Sequence, residues 1–584
     1  MILLHSRPTM SSVTFTFLNN YSRGLNPIIT ILCFPDNSSA EENEEDIPVE
    51  DTAQHEAPLD IDPDPVRVRR HSHADGDVGW SDQDMAVELP VFEEDVGVSA
   101  TVDAQSDEFD CFSLFFPKEM IKLVKTETNR YAGQCIEKLR RSNKLKPNSL
   151  WHKWKPVKLF EMYKFFAIIM HMCVVQKPQI NDYWSTDPVV HSTFASGLFS
   201  RDRFKAILFM LHLNNNSLYV QKGHPNYDPV FKIRPFFDFF VTKCNSFLKP
   251  GEWLTIDEGM CPFRGRINFR VYMKNKLNKY GIKFYIITVA ETVYVLNIEM
   301  YVGSSGGKST IQDIVDRLST NYYGKGHTIF MDRFYSSPSL FKYLFQKKTL
   351  AVGTVMKNRK GLPPVFKTKK LKSGETLFLR QNELLAVKWR DTRDVLALST
   401  RHQFKSSAVQ VRSRKGMVQK VKPDVILDYN KGKTGVDHMD QLLSYYPFGR
   451  KSMKWWKKVF FHLLMMATAN SFIIFNKMHE KKMPFDKFLK AIGNRLAVEG
   501  ASEESSSTVQ PSTSASRLTA RHFPMKIPPT EKKENPTRYC KVCSDKGKAT
   551  TGKRKESRFY CKDCDVALCV PDCFQEYHTK KDFV

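Results

Sequence analysis

The spacing of cysteines near the carboxyl end constrains the fold of this chain more than any other sequence feature. Six of the 12 cysteines lie between Cys540 and Cys573, where two Cys-x2-Cys pairs are separated by 17 residues, and His578 follows closely. Two such pairs at this separation are a zinc-binding signature. A domain of this size buries too little apolar surface to fold without help, so bound zinc is expected to hold residues 535–584 together.

The number of possible ligands indicates two zinc ions in this domain. Seven side chains fit the pattern, whereas one tetrahedral zinc site needs four ligands and two sites need eight. The remaining six cysteines are spread singly along the chain, which does not make a disulfide framework and favours a reducing compartment. The seven predicted zinc ligands are Cys540, Cys543, Cys561, Cys564, Cys569, Cys573 and His578.

Charge is divided unevenly along the chain. Residues 36–110 carry 24 acidic and three basic side chains, whereas residues 111–584 carry 83 basic and 39 acidic ones. An acidic tail before a strongly basic body is typical of a protein that binds a polyanion such as nucleic acid. The alternative is a soluble protein with scattered lysines. Because the acidic segment has few aromatic residues and several prolines, residues 1–110 are predicted to be a disordered acidic region.

The pattern of apolar residues changes along the basic body. Leu159–Val174 has apolar residues at helical spacing, and residues 111–248 are predicted to be mainly helical. Short β-patterned segments with one helix among them follow, which indicates an α/β domain at residues 249–444 with a basic, turn-rich insertion at 357–424. These segments are Trp253–Ile256, Lys283–Ala290, Tyr294–Val302, Thr328–Met331, the helix Ser336–Gln346 and the strand Leu350–Val355.

A second helical segment is predicted at residues 445–498, and a linker rich in Ser, Thr and Glu follows at 499–534. The longest apolar run, Val459–Phe475, contains His462 and Asn470 and is flanked by lysines. A membrane span needs about 20 apolar residues with few polar ones. We therefore expect a buried core helix here and no membrane partner.

Four aspartates fall where carboxylates can converge. Asp257 follows a predicted strand in LTIDEGMCPFRGR, and Asp332 follows another in IFMDRFYSS. Asp437 and Asp440 lie three residues apart, on one helical face, in GVDHMDQLL. Metal-dependent phosphodiester cleavage needs a few carboxylates around ions about 3.5–4 Å apart, and Mg²⁺ prefers such oxygen ligands. Any one aspartate alone is more simply a turn residue or a cap, but their order within one domain favours a catalytic set.

These motifs resemble those of the piggyBac transposases and the piggyBac transposable element-derived proteins. The matching stretches are LTIDEGMCPFRGR, MDRFYSS, ILDYNKGKTGVDHMDQ and the cysteine-rich end, and weaker likeness extends over residues 110–584. The resemblance implies that Asp257, Asp332 and Asp437 hold two Mg²⁺ or Mn²⁺ ions, and that Asp440 is also catalytic. Arg333 departs from the family pattern, since several relatives have Asn there.

The resemblance also implies an architecture and a chemistry. The implied fold is an α/β multidomain protein with an RNase H-like catalytic domain, a helical DNA-binding and dimerisation domain split around it, and a cross-brace zinc domain. The implied function is a nuclear, homodimeric DNA transposase that cuts and pastes through a hairpin intermediate, with transposon terminal repeats and TTAA target DNA as partners. Relatives carry a histidine upstream of the cysteines, which makes His522 the candidate eighth zinc ligand, although it equally suits an unliganded loop residue.

Two basic clusters are candidate DNA contacts. One follows Asp257 with aromatic residues interleaved, and the other surrounds two tryptophans at the start of a predicted long helix. Phosphate contacts from lysine and arginine fit both positions, whereas a solvated hairpin face is the alternative for the first. The predicted DNA-binding residues are Arg264, Arg266, Arg270, Lys274, Lys276, Lys279, Arg450, Lys451, Lys454, Lys457 and Lys458.

Two other functional classes fit parts of the sequence. A domesticated, non-catalytic nuclear protein that binds DNA or chromatin would keep the same fold, and the intact aspartates argue against it. A zinc-module adaptor, such as a ubiquitin ligase or a histone reader, explains the last 50 residues but leaves Asp257, Asp332 and Asp437 without a role.

Overall fold

The structure is a computed structural model of the chain. It describes residues 79–99, 101–147, 149–274, 276, 278–303, 309–413, 416–507, 522–530, 533–549 and 555–580. The disorder predicted for residues 1–78 and the part of the predicted linker at 508–521 lie outside the described residues.

The first helical part contains six α-helices and a short strand pair. Pro117 separates the first two helices, because proline lacks an N–H and is tolerated only where a new helix starts. Asp107 caps the first helix by accepting a hydrogen bond from the backbone N–H of Asp110. The elements are α1 (Glu108–Phe115), α2 (Lys118–Arg141), α3 (Leu159–Val174), α4 (Thr193–Leu198), α5 (Arg201–Met210), α6 (Arg234–Ser246), and β1 (Gly97–Val98), which pairs antiparallel with β2 (Leu248–Lys249).

A mixed nine-stranded sheet forms the α/β part, with three helices among its strands. Its strands are β3 (Trp253–Pro262), β4 (Arg270–Tyr272), β5 (Tyr280–Val289), β6 (Val295–Met300), β7 (Thr328–Met331), β8 (Leu350–Thr354), β9 (Thr376–Gln381), β10 (Leu384–Arg390) and β11 (Asp394–Ser399). The helices are α7 (Ile311–Ser319), α8 (Pro338–Gln346) and α9 (Val365–Thr368).

The order of this sheet is β4-β5-β3-β7-β8-β11-β10-β9, with β6 also paired to β5. Strands β3, β7 and β8 run parallel, whereas all other neighbouring strands in the sheet are antiparallel. The parallel strands are almost fully buried, as expected for strands covered on both faces. The insertion predicted at residues 357–424 adds β9, β10 and β11 to one side of the sheet, and a separate antiparallel pair, β12 (Ser406–Ser413) and β13 (Gly416–Pro423).

Helical structure returns after the sheet. The helices are α10 (Asp424–Gly432), α11 (Gly435–Tyr445), α12 (Trp455–Met478) and α13 (Phe485–Ser507). By length and composition α12 is apolar enough to cross a membrane, but 83% of its most apolar window is buried inside the fold, where it packs against α1 and α6. This is the core helix that the sequence predicts.

The carboxyl-terminal part is built from short elements around a small core. Val542, Leu568 and Tyr577 are buried together with the cysteine side chains. Its elements are β14 (Pro524–Lys526), β15 (Arg538–Tyr539), α14 (Lys541–Ala549), β16 (Glu556–Ser557), β17 (Phe559–Cys561), β18 (Val566–Ala567) and α15 (Asp572–Thr579).

Residues 79–99 differ from the disorder predicted for residues 1–110. Within this N-terminal strap, Ser81 exchanges backbone hydrogen bonds with Arg380 of β9. The Arg380 guanidinium is only 2% exposed and donates to the Asp84 carboxylate at 2.7 Å, which also accepts from the Phe404 N–H. Acidic composition predicts disorder because unpaired charges stay in water. In this segment Asp84 pairs with the buried Arg380, and the sequence does not reveal that pairing.

His212 makes the stability of the helical part dependent on pH. Its ring is 2% exposed, stacks on Tyr131 and contacts Asn216 Oδ1 at 2.8 Å. Burial lowers the pKa of His212 from 6.5 to about 3, and the positive charges of Lys232, Lys457 and Lys454 act in the same direction. The unfolded chain therefore binds this proton more readily, so stability is complete above pH 6.5 and is lost as pH falls.

We expect this histidine to cost about 3 kcal/mol of stability between pH 6.5 and about pH 4. His212→Gln should flatten the fall of the urea unfolding midpoint across this pH range, although it lowers stability at neutral pH. The exposed residue His438 provides the matched control, His438→Gln, whose slope should equal that of the wild type. Equal slopes for both variants would contradict the assignment to His212.

Candidate catalytic and zinc sites

Two parallel strands bring Asp257 and Asp332 together. Ile256 of β3 pairs with Met331 of β7, and each aspartate is the next residue along its chain. The carboxyl ends of parallel strands lie at one edge of a sheet, so the two side chains meet there, as the sequence predicts. Strands β7 and β8 end at this edge of the sheet, whereas β3 continues beyond it. We call this edge the catalytic edge.

A third carboxylate, Glu258, belongs to the same cluster and was not predicted. One carboxylate oxygen from each of Asp257, Glu258 and Asp332 lies within 4.8 Å of the other two. Neighbouring residues of a strand point to opposite faces, so β alternation places Glu258 away from Asp257. Its position directly after Asp257 is the only sequence signal that could have singled it out.

Crowding and burial disfavour the ionised forms of Asp257 and Asp332. Burial, followed by the negative charge of Glu258, raises the pKa of Asp257 well above its usual range. The same two causes raise the pKa of Asp332. Enclosed carboxylates that repel each other provide hard oxygen donors for a divalent cation, and such an ion would remove the repulsion. The residues present therefore fit Mg²⁺ or Mn²⁺.

Asp437 and Asp440 reach the catalytic edge on α11. This helix packs closely against the sheet at its first residue, Gly435, where a Cβ would lie 2.3 Å from Thr288 Oγ1. Lys276 Nζ lies 2.9 Å from Asp437 Oδ1 and 3.9 Å from Asp440 Oδ2, and its charge also acts on Asp257. Asp437 thus pairs with Lys276 in the described structure and lies outside the group of three carboxylates, so its predicted role as a metal ligand stays a prediction.

Asp440 is the more enclosed of the two helical aspartates. Its side chain is 20% exposed, whereas that of Asp437 is 60% exposed. Burial raises the pKa of Asp440 to about 7. Among the described residues its Oδ1 is enclosed and finds no hydrogen-bond partner, so a cation or a donor at this position would satisfy it.

The predicted zinc ligands fall into two groups of four at the carboxyl end. One consists of Cys540, Cys543, Cys569 and Cys573, and the other of His522, Cys561, Cys564 and His578. The groups interleave along the chain, which is the cross-brace arrangement that the sequence predicts. None of the 11 cysteines that the structure describes forms a disulfide bond.

Distances within each group suit tetrahedral zinc. Two sulfurs at about 2.3 Å from one zinc ion lie about 3.8 Å apart, and Cys543 Sγ is 3.6 Å from Cys573 Sγ. His522 Nδ1 lies 3.2 Å from Cys561 Sγ, and His578 Nε2 lies 3.6 Å from Cys564 Sγ. His578 Nδ1 donates to the Phe574 carbonyl oxygen, which aims Nε2 at the sulfurs. These donors fit Zn²⁺.

The first basic cluster surrounds the turn that follows β3. Arg264 and Arg266 are exposed, as are Lys274 and Lys279. Arg270 is turned inward, because its guanidinium donates to the carbonyl oxygens of Arg264 and Gly265 and lies over the Tyr280 ring. Arg270 therefore holds the shape of the turn. Lys276 is engaged by the carboxylates described above.

The second basic cluster is partly internal, and the buried position of Lys457 contradicts the DNA contact predicted for that residue. Lys457 is 7% exposed and donates to the carbonyl oxygens of Leu208 and Phe209 near the end of α5, so it does not face DNA. Arg450 donates to carbonyl oxygens of the 177–178 loop and to Tyr183, and Lys454 lies over Phe209. Lys458 is half-buried, which lowers its pKa, and Lys451 is exposed. The sequence shows that these residues are positively charged, but it does not show which of them donate to carbonyl oxygens inside the protein.

Comparison with known proteins agrees with this architecture. The family described as transposase IS4 matches residues 107–472, and the family described as a DDE_Tnp_1-like zinc finger matches residues 521–579. The first match spans more than half of the chain and covers all four predicted catalytic aspartates. The second covers all eight predicted zinc ligands.

Curated proteins and a solved structure extend this match. The chain is 24% identical to human PiggyBac transposable element-derived protein 3, over 71% of this chain and 69% of that protein, and 25% identical to human PiggyBac transposable element-derived protein 2, over 62% and 60%. It superposes with a TM-score of 0.60 and 25% identity on the piggyBac transposase in its synaptic complex with hairpin DNA, covering 82% of this chain and 98% of that chain. By its family match, its relatives and its fold, the chain belongs to the piggyBac transposase family.

Proposed function

We propose that this protein is a metal-dependent DNA transposase of the piggyBac type, which hydrolyses phosphodiester bonds and transfers strands. The observation that carries this proposal is the group formed by Asp257, Glu258 and Asp332 at the catalytic edge, with Asp440 beside it. Aspartates whose pKa is raised by burial and by a neighbouring negative charge, as for Asp257 and Asp332, are typical of sites built for cations and chemistry. The sheet order around β3 and β7 supports the proposal that the catalytic domain is RNase H-like.

In the proposed reaction, each part of the site has a separate task. Asp257, Asp332 and Asp440 would hold divalent ions, with Glu258 close enough to join them. When bound, two such ions activate the attacking oxygen and stabilise the leaving one. Arg264 and Arg266 would bind backbone phosphates and orient the scissile strand, because they are exposed on the turn that Arg270 holds in shape.

We propose that the ammonium group of Lys276 neutralises the helical aspartates while no metal ion is bound. Its ammonium group is 20% exposed and contacts Asp437 and Asp440, so it repels any divalent ion that approaches them. In the loaded site, Asp437 would leave Lys276 and join the ligands, which is the ligand role that the resemblance implies for it.

We expect Lys276→Met to bind Mn²⁺ roughly tenfold more tightly than the wild type, because it removes this repulsion at a partly exposed site. The measurement is a titration of the protein without DNA, with free Mn²⁺ followed by electron paramagnetic resonance. Lys274→Met is the matched control, since Lys274 is exposed and makes no contact with the carboxylates in the described structure. An affinity that stays the same or weakens in Lys276→Met would disprove the competition.

The proposed partners follow from the family and its chemistry. We propose a nuclear homodimer that binds transposon terminal repeats and joins the excised element at TTAA. A solved relative is a transposase synaptic complex with hairpin DNA, which supports DNA as the partner. Two zinc ions in the cross-braced domain would shape a module for the terminal-repeat DNA.

Plasmid excision in cells tests this function. The reporter carries a marker gene flanked by the terminal repeats nearest this gene, and repaired plasmid is counted by sequencing. Excision by the wild-type chain is the expected result. DNA binding without excision would instead favour a domesticated DNA-binding protein, and binding to a histone peptide without DNA binding would favour a zinc-module adaptor. The human relatives are named as transposable element-derived proteins. A domesticated DNA-binding protein is therefore the second candidate function.

A further inference from the structure

A β-ribbon in the insertion presents one face that nothing in the described chain covers. Strands β12 and β13 pair with each other over eight residues each and with no other strand. The main sheet lies beside only one face of the ribbon. Lys420 Nζ contacts Asp391 at 3.1 Å, and Lys422 Nζ lies over the Trp389 ring, so these side chains define the inner face.

The outer face has a distinct composition. Cross-strand partners share a face, so the pairs Ala408–Val421, Gln410–Gln419 and Arg412–Met417 all point away from the sheet. All six residues are exposed, and Met417 and Val421 are exposed by 64% and 58%. The two glutamine amides can donate to and accept from the edges of DNA bases. The apolar side chains beside them can contact thymine methyl groups.

The ribbon points toward the catalytic edge. Strand β11 lies between β8 and β10 and is antiparallel to both, so β8 and β10 run in the same direction. The turn after Arg390 therefore lies at the edge where β8 ends. Lys420 reaches Asp391 in that turn, whereas Lys405 and Asp424 join the ribbon's base near the opposite edge. The four residue pairs beyond Lys420 span about 13 Å of ribbon at about 3.3 Å per residue.

The charge of the ribbon segment favours DNA as the occupant. Residues 405–422 contain six Lys or Arg residues and no Asp or Glu. Among the described side chains of the two strands, Arg412 lies on the outer face, whereas Lys420 and Lys422 lie on the inner face. A protein partner rich in apolar surface would not require this charge, whereas a DNA backbone does. The major groove is about 12 Å wide and admits a two-stranded ribbon, in which Gln pairs with adenine and arginine with guanine or phosphate.

We propose that the β12–β13 ribbon enters the major groove of duplex DNA at the catalytic edge and reads A·T pairs through Gln410 and Gln419. Arg412 lies at the free end of the ribbon and contacts the adjacent guanine or phosphate. This inference rests on the proposed function, because it names the element that recognises the DNA on which the catalytic edge acts. It assigns sequence selectivity to the insertion, separately from the carboxylates and from the zinc domain.

The test compares the full-length wild type with the double variant Gln410→Ala/Gln419→Ala on two labelled duplexes. One duplex has TTAA at its centre, and the other has GGCC there and is otherwise identical. We expect the double variant to lose at least about tenfold in affinity for the TTAA duplex and little for the GGCC duplex, since a bidentate base contact discriminates by this amount or more. The control Gln403→Ala replaces an exposed glutamine at the base of the ribbon and should bind both duplexes as the wild type does.

Every outcome of this test decides something. An equal loss on both duplexes would show phosphate contact alone and overturn base reading, and an unchanged affinity on both would overturn the ribbon as a DNA contact. A changed sedimentation dimer constant with unchanged DNA affinity would identify a second copy as the occupant and overturn the proposal. Wild-type protein that binds neither duplex would overturn the proposed function itself, which separates that failure from a failure of the ribbon alone.

Discussion

Replacement of Asp332 by alanine is expected to lower the rate of excision by at least about a thousandfold. Asp332 lies in the group of carboxylates that would hold the divalent ions, and metal catalysis contributes several kcal/mol to transition-state stabilisation. A loss of about 4 kcal/mol corresponds to a thousandfold in rate. Excision of the reporter in cells and titration of purified protein with Mn²⁺ measure the two consequences, and both signals should be lost together.

The Asp332 experiment needs a control for local structure. Asp332 Oδ1 accepts a hydrogen bond from the Phe334 N–H at 2.8 Å, so alanine also removes a contact that shapes the following turn. Asp332→Asn keeps an acceptor there and removes the negative charge, and it should be nearly as inactive as the alanine variant. Asp202→Ala, on an exposed aspartate of α5, should excise at the wild-type rate. Full activity in Asp332→Asn would refute a metal-ligand role for this carboxylate.

Loss of one zinc ligand is expected to unfold the whole carboxyl-terminal domain. The two groups of ligands interleave, because Cys561 and Cys564 lie between the Cys543 and Cys569 ligands of the other group. Zinc contributes about 10–16 kcal/mol of apparent binding free energy to small zinc domains, more than the few side chains of this core can replace. Cys569→Ser should therefore lose both zinc ions.

Elemental analysis of purified protein checks this prediction. The wild type should contain two zinc ions per chain, and Cys569→Ser less than one. Cys135→Ala removes a buried cysteine of α2 that lies outside the domain, and it should retain both ions. The thermal transition of the main body should survive in Cys569→Ser. One retained zinc ion in that variant would show that the two sites fold independently.

Local patterns predict several elements of this fold well. The helix Leu159–Val174 and the strand Thr328–Met331 have the predicted bounds. In each case a run of apolar residues stops abruptly at polar or breaking residues. The eight side chains that form the two zinc groups were also predicted, because seven of them lie within 39 residues of one another and their spacing reflects the ligand geometry directly.

Other features depend on contacts between distant parts of the chain. The predicted strand Trp253–Ile256 extends as β3 to Pro262, because its partner β5 continues alongside it. The ribbon of β12 and β13 was expected only as part of a basic insertion. Its exposed outer face shows no apolar alternation of the kind that marks a strand with one face buried.

The sequence by itself predicted seven of the zinc ligands, the family, and the convergence of Asp257 with Asp332, because these depend on spacing within short segments or on adjacent parallel strands. Only the tertiary structure decided that Glu258 joins the carboxylates, that Lys276 pairs with Asp437 across 161 residues, and that Lys457 is buried. The physical reason is that a side chain's charge and size are local properties. The partner of a side chain depends on how elements that are distant in the sequence pack against one another.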